Sequence, residues 1–484
     1  MAVERHGAFG KGCGGEMNKE GCSVMKLMVM MVLCMTVLAV RGAVGDTVRA
    51  AWTEEVISCE VGALLAGYNA DDVSVTKADD LMLCACGVDD GENRVFIFSM
   101  DVLGIDAKNI LPMRASAAEI LGVPSANVLL TCTHNHHGPH TRLFNSKDKE
   151  GKAGVDEKYM AFLKDRIAAV ARRLAGKDLW QEVKVGFHSA AVDENRNRRF
   201  TSPDNRASFN PILRRLYEVT DLIADKELGT VVFLDPKRED PLYVIGNYAA
   251  HTLASHSPGF GGYRITADFP GFYRRYIKAE TGADAMFIQG ACGDLVPKSD
   301  ELGMDAARQT GVSLAKASIA GIIDVQRNER YQQRNVKVGG TISRFTSPTR
   351  RKWVKKLGCP DKLSLELQMV AIGDVAFVGV PGETVNELGL EIKWHSPFKR
   401  TFIAYCSTGY DGYISPANFV AAGGYEGRFQ RFASRDSLTL VMTASDGLFS
   451  LRERIFPNSS VDGEPYPDCV ELPLVSLPGN AQDE

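Results

Sequence analysis

The sequence predicts an α/β fold in which mixed β-sheets are flanked by helices within a single large catalytic domain. Three observations lead there. Strand-like and helix-like stretches interleave irregularly, several neighbouring strands are joined by short turns and so read as antiparallel, and neither a repeat nor a Pro- or Ser-rich linker divides the chain after Asp46. A regular doubly wound sheet would instead need a crossover between each pair of parallel strands. Across 484 residues the composition is 45% apolar, 24% charged and 8% aromatic. That balance excludes disordered, collagenous and multi-span membrane proteins. With 56 Lys and Arg against 60 Asp and Glu the formal charge is −4. There is no basic excess to neutralise phosphates, so nucleic acid is not an expected partner.

The elements follow in order. Residues 27–40 are an apolar run preceded by Lys26 and followed by the small-x-small group Ala43-Val44-Gly45. This is the pattern of a secretory signal peptide over 25–45, with 1–24 an upstream extension and the mature domain at 46–484. The run falls short of the ~20 residues that cross a bilayer, and the expected location is secreted or periplasmic. Of eleven cysteines, Cys13, Cys22 and Cys34 precede the cleavage site. The even remainder allows disulfides in an exported protein. Cys84, Cys86, Cys132 and Cys406, however, lie in apolar runs where cysteine packs as a small hydrophobe, and pairing stays open.

Residues 81–88 and 94–100 form a hairpin around Asp-Asp-Gly-Glu-Asn. Helices are expected at 109–121 and 156–176, the second with Phe162, Leu163, Ile167, Val170 and Leu174 on one face. Between them 127–131 is a short strand. Further strands are expected at 183–187, 230–234, 243–247 and 285–289, helices at 269–281 and 305–322, and a long hairpin at 365–372 and 375–380 turning at Gly373-Asp374.

The densest chemical signal is Thr131-Cys-Thr-His134-Asn-His136-His137-Gly-Pro-His140, which holds four of nine histidines. At the end of the 127–131 strand His134 and His136 differ by two and point to one side, and imidazoles gathered there suit a metal. His251 leaves the strand 243–247, with His256 as an alternative. Glu383 follows a Pro-Gly turn and could project into a cleft or serve a helix N-terminus. Two histidines and a carboxylate are a known catalytic zinc set. Asp101, Asp268 and Asp294 read as helix caps or as partners of ligand histidines, and Cys292 as core packing.

These segments resemble the neutral/alkaline, non-lysosomal ceramidases. Thr133-His-Asn-His-His-Gly-Pro139, Gly293-Asp-Leu-Val-Pro297, Val380-Pro-Gly-Glu383 and Tyr413 followed by Tyr425-Glu-Gly are similar to that family's HTHSGP, GDVSPN, PGE and YVTT…RYEG, in the same order over 52–451. The resemblance implies a Zn2+ site formed by His134, His251, Glu383 and Tyr413, with His136 as general acid and Tyr425 stabilising the transition state. It implies that Asn195-Arg196 is the family's Asn-Arg pair, Arg196 supplying the cation, with Arg198 or Arg199 as alternative matches. The implied activity is zinc-dependent hydrolysis of the N-acyl amide of a ceramide-like lipid by water, with peripheral membrane contact. Alternatives are a hydrolase of the same architecture acting on another amide or ester, and a non-catalytic exported binding protein. Three positions depart from the pattern: Val296 replaces a serine, which excludes a serine nucleophile there, His137 replaces another, and Thr252 follows His251 where the family has proline. No C-terminal immunoglobulin-like domain is expected within 46–484.

Overall fold

The strand Thr47–Val56, which the pattern above does not mark, runs through the middle of an eight-stranded sheet. In spatial order the strands are Asp284–Gln289, Pro241–Tyr248, Glu227–Leu234, Gln181–Ala191, Thr47–Val56, Met82–Asp89, Arg94–Met100 and Val128–Cys132. The pair at each edge is parallel and the inner pairs are antiparallel. The expected hairpin is present, with Asp89 opposite Arg94. A second, four-stranded sheet comprises Val338–Pro348, Lys362–Ile372, Val375–Gly379 and Arg400–Ala404, its long hairpin turning at Gly373 with φ +60°.

This computed structural model describes residues 47–67, 72–142, 154–201, 207–208, 223–256, 263–299 and 301–457. The apolar run 27–40 and Cys469 lie outside the described residues. The described residues form one unit. Among the described residues no helix is long and apolar enough to cross a membrane.

The two sheets pack face to face. Val231, Phe233, Ile245 and Met286 of the first meet Val370, Phe377 and Phe402 of the second. Leu228, Val232 and Leu234, alternating with Val231 and Phe233, face the helices Asp268–Thr281 and Met304–Arg327 instead. This is the period-two geometry of a strand buried on both faces. Helices Ala107–Leu121 and Glu157–Ala175 cover the rest of the first sheet, and Asp436–Ile455 covers the second. The helix Glu157–Ala175 starts where its N-cap Asp156 accepts from Tyr159 N at 2.9 Å, a bond worth about 1 kcal/mol. The seven described cysteines are free thiols. Cys84 and Cys86 line the core between the sheets, and burial pushes both thiols up to about 12.

The larger sheet curls until its edges meet. Ser99 Oγ donates to the Phe287 carbonyl at 2.5 Å, Cys132 N to Tyr405 O at 3.3 Å and Tyr405 N to Gln289 O at 3.1 Å. These bonds gather the carboxyl ends of Val128–Cys132, Pro241–Tyr248, Asp284–Gln289 and Arg400–Ala404. The buried Gln289 amide ties them further, donating to Ala250 O at 2.5 Å and Thr133 O at 3.3 Å. Strand carboxyl ends are where open sheets bind ligands.

Candidate metal centre

His134, His136 and His251 converge at that junction, all buried, each offering a ring nitrogen within 4.8 Å of the others'. Strand continuation is not what aims them. The strand ends at Cys132, and His134 has a left-handed backbone, φ +60°, which turns its imidazole inward. Such a conformation costs a non-glycine residue of order 1–3 kcal/mol and concentrates at functional sites. His134 Nδ1 lies 2.8 Å from the Leu103 carbonyl, and His251 Nδ1 lies 2.6 Å from that of Cys292. A carbonyl only accepts, so each Nδ1 carries the proton and each Nε2 presents an unprotonated lone pair toward the centre.

Both Nε2 atoms face one oxygen of Glu383. Oε2 lies 3.3 Å from His134 Nε2 and 3.5 Å from His251 Nε2. The other oxygen, Oε1, accepts from the Tyr410 hydroxyl. Glu383 in turn pairs in register with Tyr413 across a two-strand ladder, Glu383–Thr384 against Tyr413–Ile414. The four expected ligands and His136 are thus neighbours. His136 packs on Gly67, whose φ is +93°, and a Cβ there would come within 2.3 Å of its Nδ1. Only glycine leaves room for that ring.

The electrostatics suit a cation. Burial pushes the His251 imidazole down to about 4 and that of His136 well below its ordinary value. Burial opposes ionisation of Glu383, but His134 and His251 hold its carboxyl well below the usual range. At neutral pH the His136 and His251 imidazoles are therefore neutral beside an ionised Glu383. Among the described residues His134 Nε2 and Glu383 Oε2 are buried without a hydrogen-bond partner, which in a closed pocket costs about 1–3 kcal/mol per group. A divalent metal satisfies both, and imidazole with carboxylate is zinc-type coordination. The residues fit the ion.

Arg196 does not reach this centre. In the strand Asn195–Asn197 the two asparagines are buried and Arg196, between them, is exposed. It pairs with Val296, the residue standing in the family's serine position, in an edge ladder. Arg198 carries the cation instead. Its Nη2 donates to Tyr413 Oη at 3.0 Å and Gly293 O at 2.9 Å, and its Nε to Glu426 Oε1 at 3.0 Å. Burial disfavours its charge, but Tyr413 and Glu426 more than restore it. The Tyr425 ring lies 5.6 Å from the Arg198 guanidinium and 5.6 Å from the Tyr413 ring, and is part exposed at 38%. It forms the outer wall.

His137 turns away from the centre, its Nε2 2.8 Å from Ser255 Oγ and 3.5 Å from Asp268. The three candidate aspartates brace loops and do not orient ligand histidines. Asp101 accepts from Thr133 Oγ1 and from both Arg274 nitrogens, Asp268 from Ala254 N and Ser255 N, and Asp294 from Asn386 N and Asn197 Nδ2. Cys292 acts through its carbonyl, its buried thiol pushed well up. Tyr410 and Arg142, whose guanidinium lies 4.1 Å over the Tyr410 ring, are missing from the sequence reading. The only available signal was the Tyr-x-x-Tyr spacing from Tyr410 to Tyr413.

No family model matches the chain, and no curated protein matches its sequence. Solved structures do. Neutral ceramidase from Pseudomonas aeruginosa superposes over 84% of this chain and 75% of its own, with TM-score 0.66 and 16% identity. The chain has the neutral ceramidase fold. A ceramidase complexed with C2 matches at TM-score 0.67 and 16% identity, over 84% of this chain and 76% of that one.

Proposed function

We propose that the protein is an exported zinc-dependent amidase that hydrolyses the N-acyl bond of ceramide-like lipids. The observation that carries this reading is the convergence of His134, His251, Glu383 and Tyr413, with His136 beside them, at the strand ends of a neutral ceramidase fold. Those four side chains would hold the ion. Zinc supplies Lewis acidity, acidifying water and polarising an amide carbonyl.

The chain's own groups account for the rest. Arg198, fixed by Glu426 and the Gly293 carbonyl, and the Tyr425 hydroxyl donate to the carbonyl oxygen as negative charge builds there. One such donor is worth roughly 3 kcal/mol. His136, held neutral by burial, takes the proton released as water attacks the carbonyl carbon. It then delivers that proton to the nitrogen as the C–N bond breaks, so that acid and amine leave together. Val296 takes no part, consistent with water as the nucleophile.

The test is ceramide hydrolysis by residues 46–484 with metal content measured alongside. Turnover that vanishes with the metal in Glu383→Gln supports the reading. Fully zinc-loaded protein that cleaves short amides or esters but not ceramide would replace it with the hydrolase of the same architecture. Zinc-loaded protein that captures ceramide and cleaves nothing would leave the binding protein. Export rests on the pattern of 25–45, and N-terminal sequencing of the mature protein should find a start near Asp46.

A further inference from the structure

Charge without a partner is concentrated on one short helix, Arg351–Leu357, and on the segment beneath it. Between positions 344 and 362 the chain has seven cations and one acid, in a protein whose formal charge is −4. Arg344 is paired with Glu366. Arg350, Arg351, Lys352, Lys355, Lys356 and the neighbouring Arg428 form no ion pair among the described residues, and all but Arg350 are exposed.

The patch is built rather than frayed. Trp353 is buried at 2% and donates from Nε1 to Gln430 O at 2.7 Å, while Arg350 donates to Gly427 O at 2.6 Å. Lys352 donates to the Arg428 carbonyl. Burial, with Arg350, Arg428 and Lys356 close by, lowers the Lys352 ammonium to about 8. An external anion would offset the part of this that comes from the neighbouring cations. The patch also adjoins the centre. Trp353 stacks near Phe429 at 5.9 Å, Phe429 near Tyr425 at 4.5 Å, and Tyr425 against Tyr413 at 5.6 Å.

We propose that the face formed by Arg351, Lys352, Lys355, Lys356 and Arg428 docks the protein on an anionic phospholipid surface, with Tyr425 at the edge of the contact. The choice of lipid rests on the lipid-amidase reading above. A second observation favours it over nucleic acid. The Lys352 and Lys356 ammonium groups lie 4.8 and 5.8 Å from the ring of buried Trp353, so the helix's own aromatic offers bases no face to stack on, and Tyr425 stands only at the rim. Several clustered Lys and Arg residues near a membrane surface are attracted additively, each strengthening binding about fivefold.

Cosedimentation with vesicles tests this, because it needs no turnover. Vesicles of phosphatidylcholine with phosphatidylglycerol should bind the protein, those of phosphatidylcholine alone should not, and salt should weaken binding. Lys355→Glu/Lys356→Glu should lower binding on the order of a hundredfold, and so should Arg351→Glu/Lys355→Glu, with unchanged melting temperature and unchanged hydrolysis of a soluble short-chain amide. Equal binding to both vesicle types, or binding indifferent to both double variants, overturns the proposal. Single-stranded RNA that competes the protein off the vesicles through these residues overturns the lipid assignment. A failed ceramide assay with intact vesicle binding would refute the amidase reading alone.

Discussion

Glu383 divides its two oxygens between two tasks: Oε1 is held by Tyr410, and Oε2 faces His134 and His251. Tyr410 in turn is fixed by Arg431, which donates to its carbonyl at 2.7 Å, and by Arg142 over its ring. Partners that orient a metal ligand typically contribute 10–100-fold in affinity. Tyr410→Phe should therefore weaken zinc binding by roughly that factor in chelator competition, without changing the fold. His136→Gln separates proton transfer from ligation. It should retain the zinc and lose about 10²–10⁴ in kcat, whereas loss of the zinc would make His136 a ligand. Arg198→Ala should cost about a hundredfold or more in kcat, and Arg196→Ala should be near neutral. The sequence could not choose between these arginines, because Asn-Arg occurs at both 195–196 and 197–198. The choice is made by strand alternation, which buries both asparagines and leaves Arg196 outside.

At the scale of elements, the hairpins and amphipathic helices were legible because their periodicity is local. The helix Glu157–Ala175 lies within one residue of its expected ends at each terminus. The strand Thr47–Val56 was not legible. Thr53, Glu54 and Glu55 give its second half a polar, partly exposed face, and its place in the centre of the sheet is set by partners far along the chain. Val338–Pro348 is similar, with a polar outer face and eleven paired positions against Lys362–Ile372. Asp294 shows how such elements are tied. It joins the helix start at Asn386 to the strand containing Asn197, and burial raises its carboxyl to about 6. Since that value lies above the ordinary 3.8, folding favours the protonated form. The stability it contributes is complete below about pH 4 and is lost as pH rises through about 6. The melting temperature of wild type relative to Asp294→Asn should accordingly fall between pH 4 and 7, by the equivalent of roughly 3 kcal/mol. A pH-independent difference would mean that Asp294 is ionised throughout.

For the molecule as a whole, the centre exists because the larger sheet closes on itself and the second sheet meets it there. His134, His251 and Glu383 lie on three separate stretches of chain, and none contacts the others without that closure. The ordered motifs pointed to these residues, but their convergence is a property of the curled sheet, which no local pattern encodes. A consequence follows for stability. An ion bound only by the folded chain stabilises it by about 4 kcal/mol at a thousandfold excess over Kd, so a strong chelator should lower the melting temperature and re-added zinc should restore it. The most direct measurement of the central claim is the metal content of purified 46–484 protein beside that of Glu383→Gln. About one zinc per chain is expected in the first, little in the second, and amidase activity only where the zinc is. Equal metal in both, or ceramide hydrolysis by metal-free protein, would contradict it.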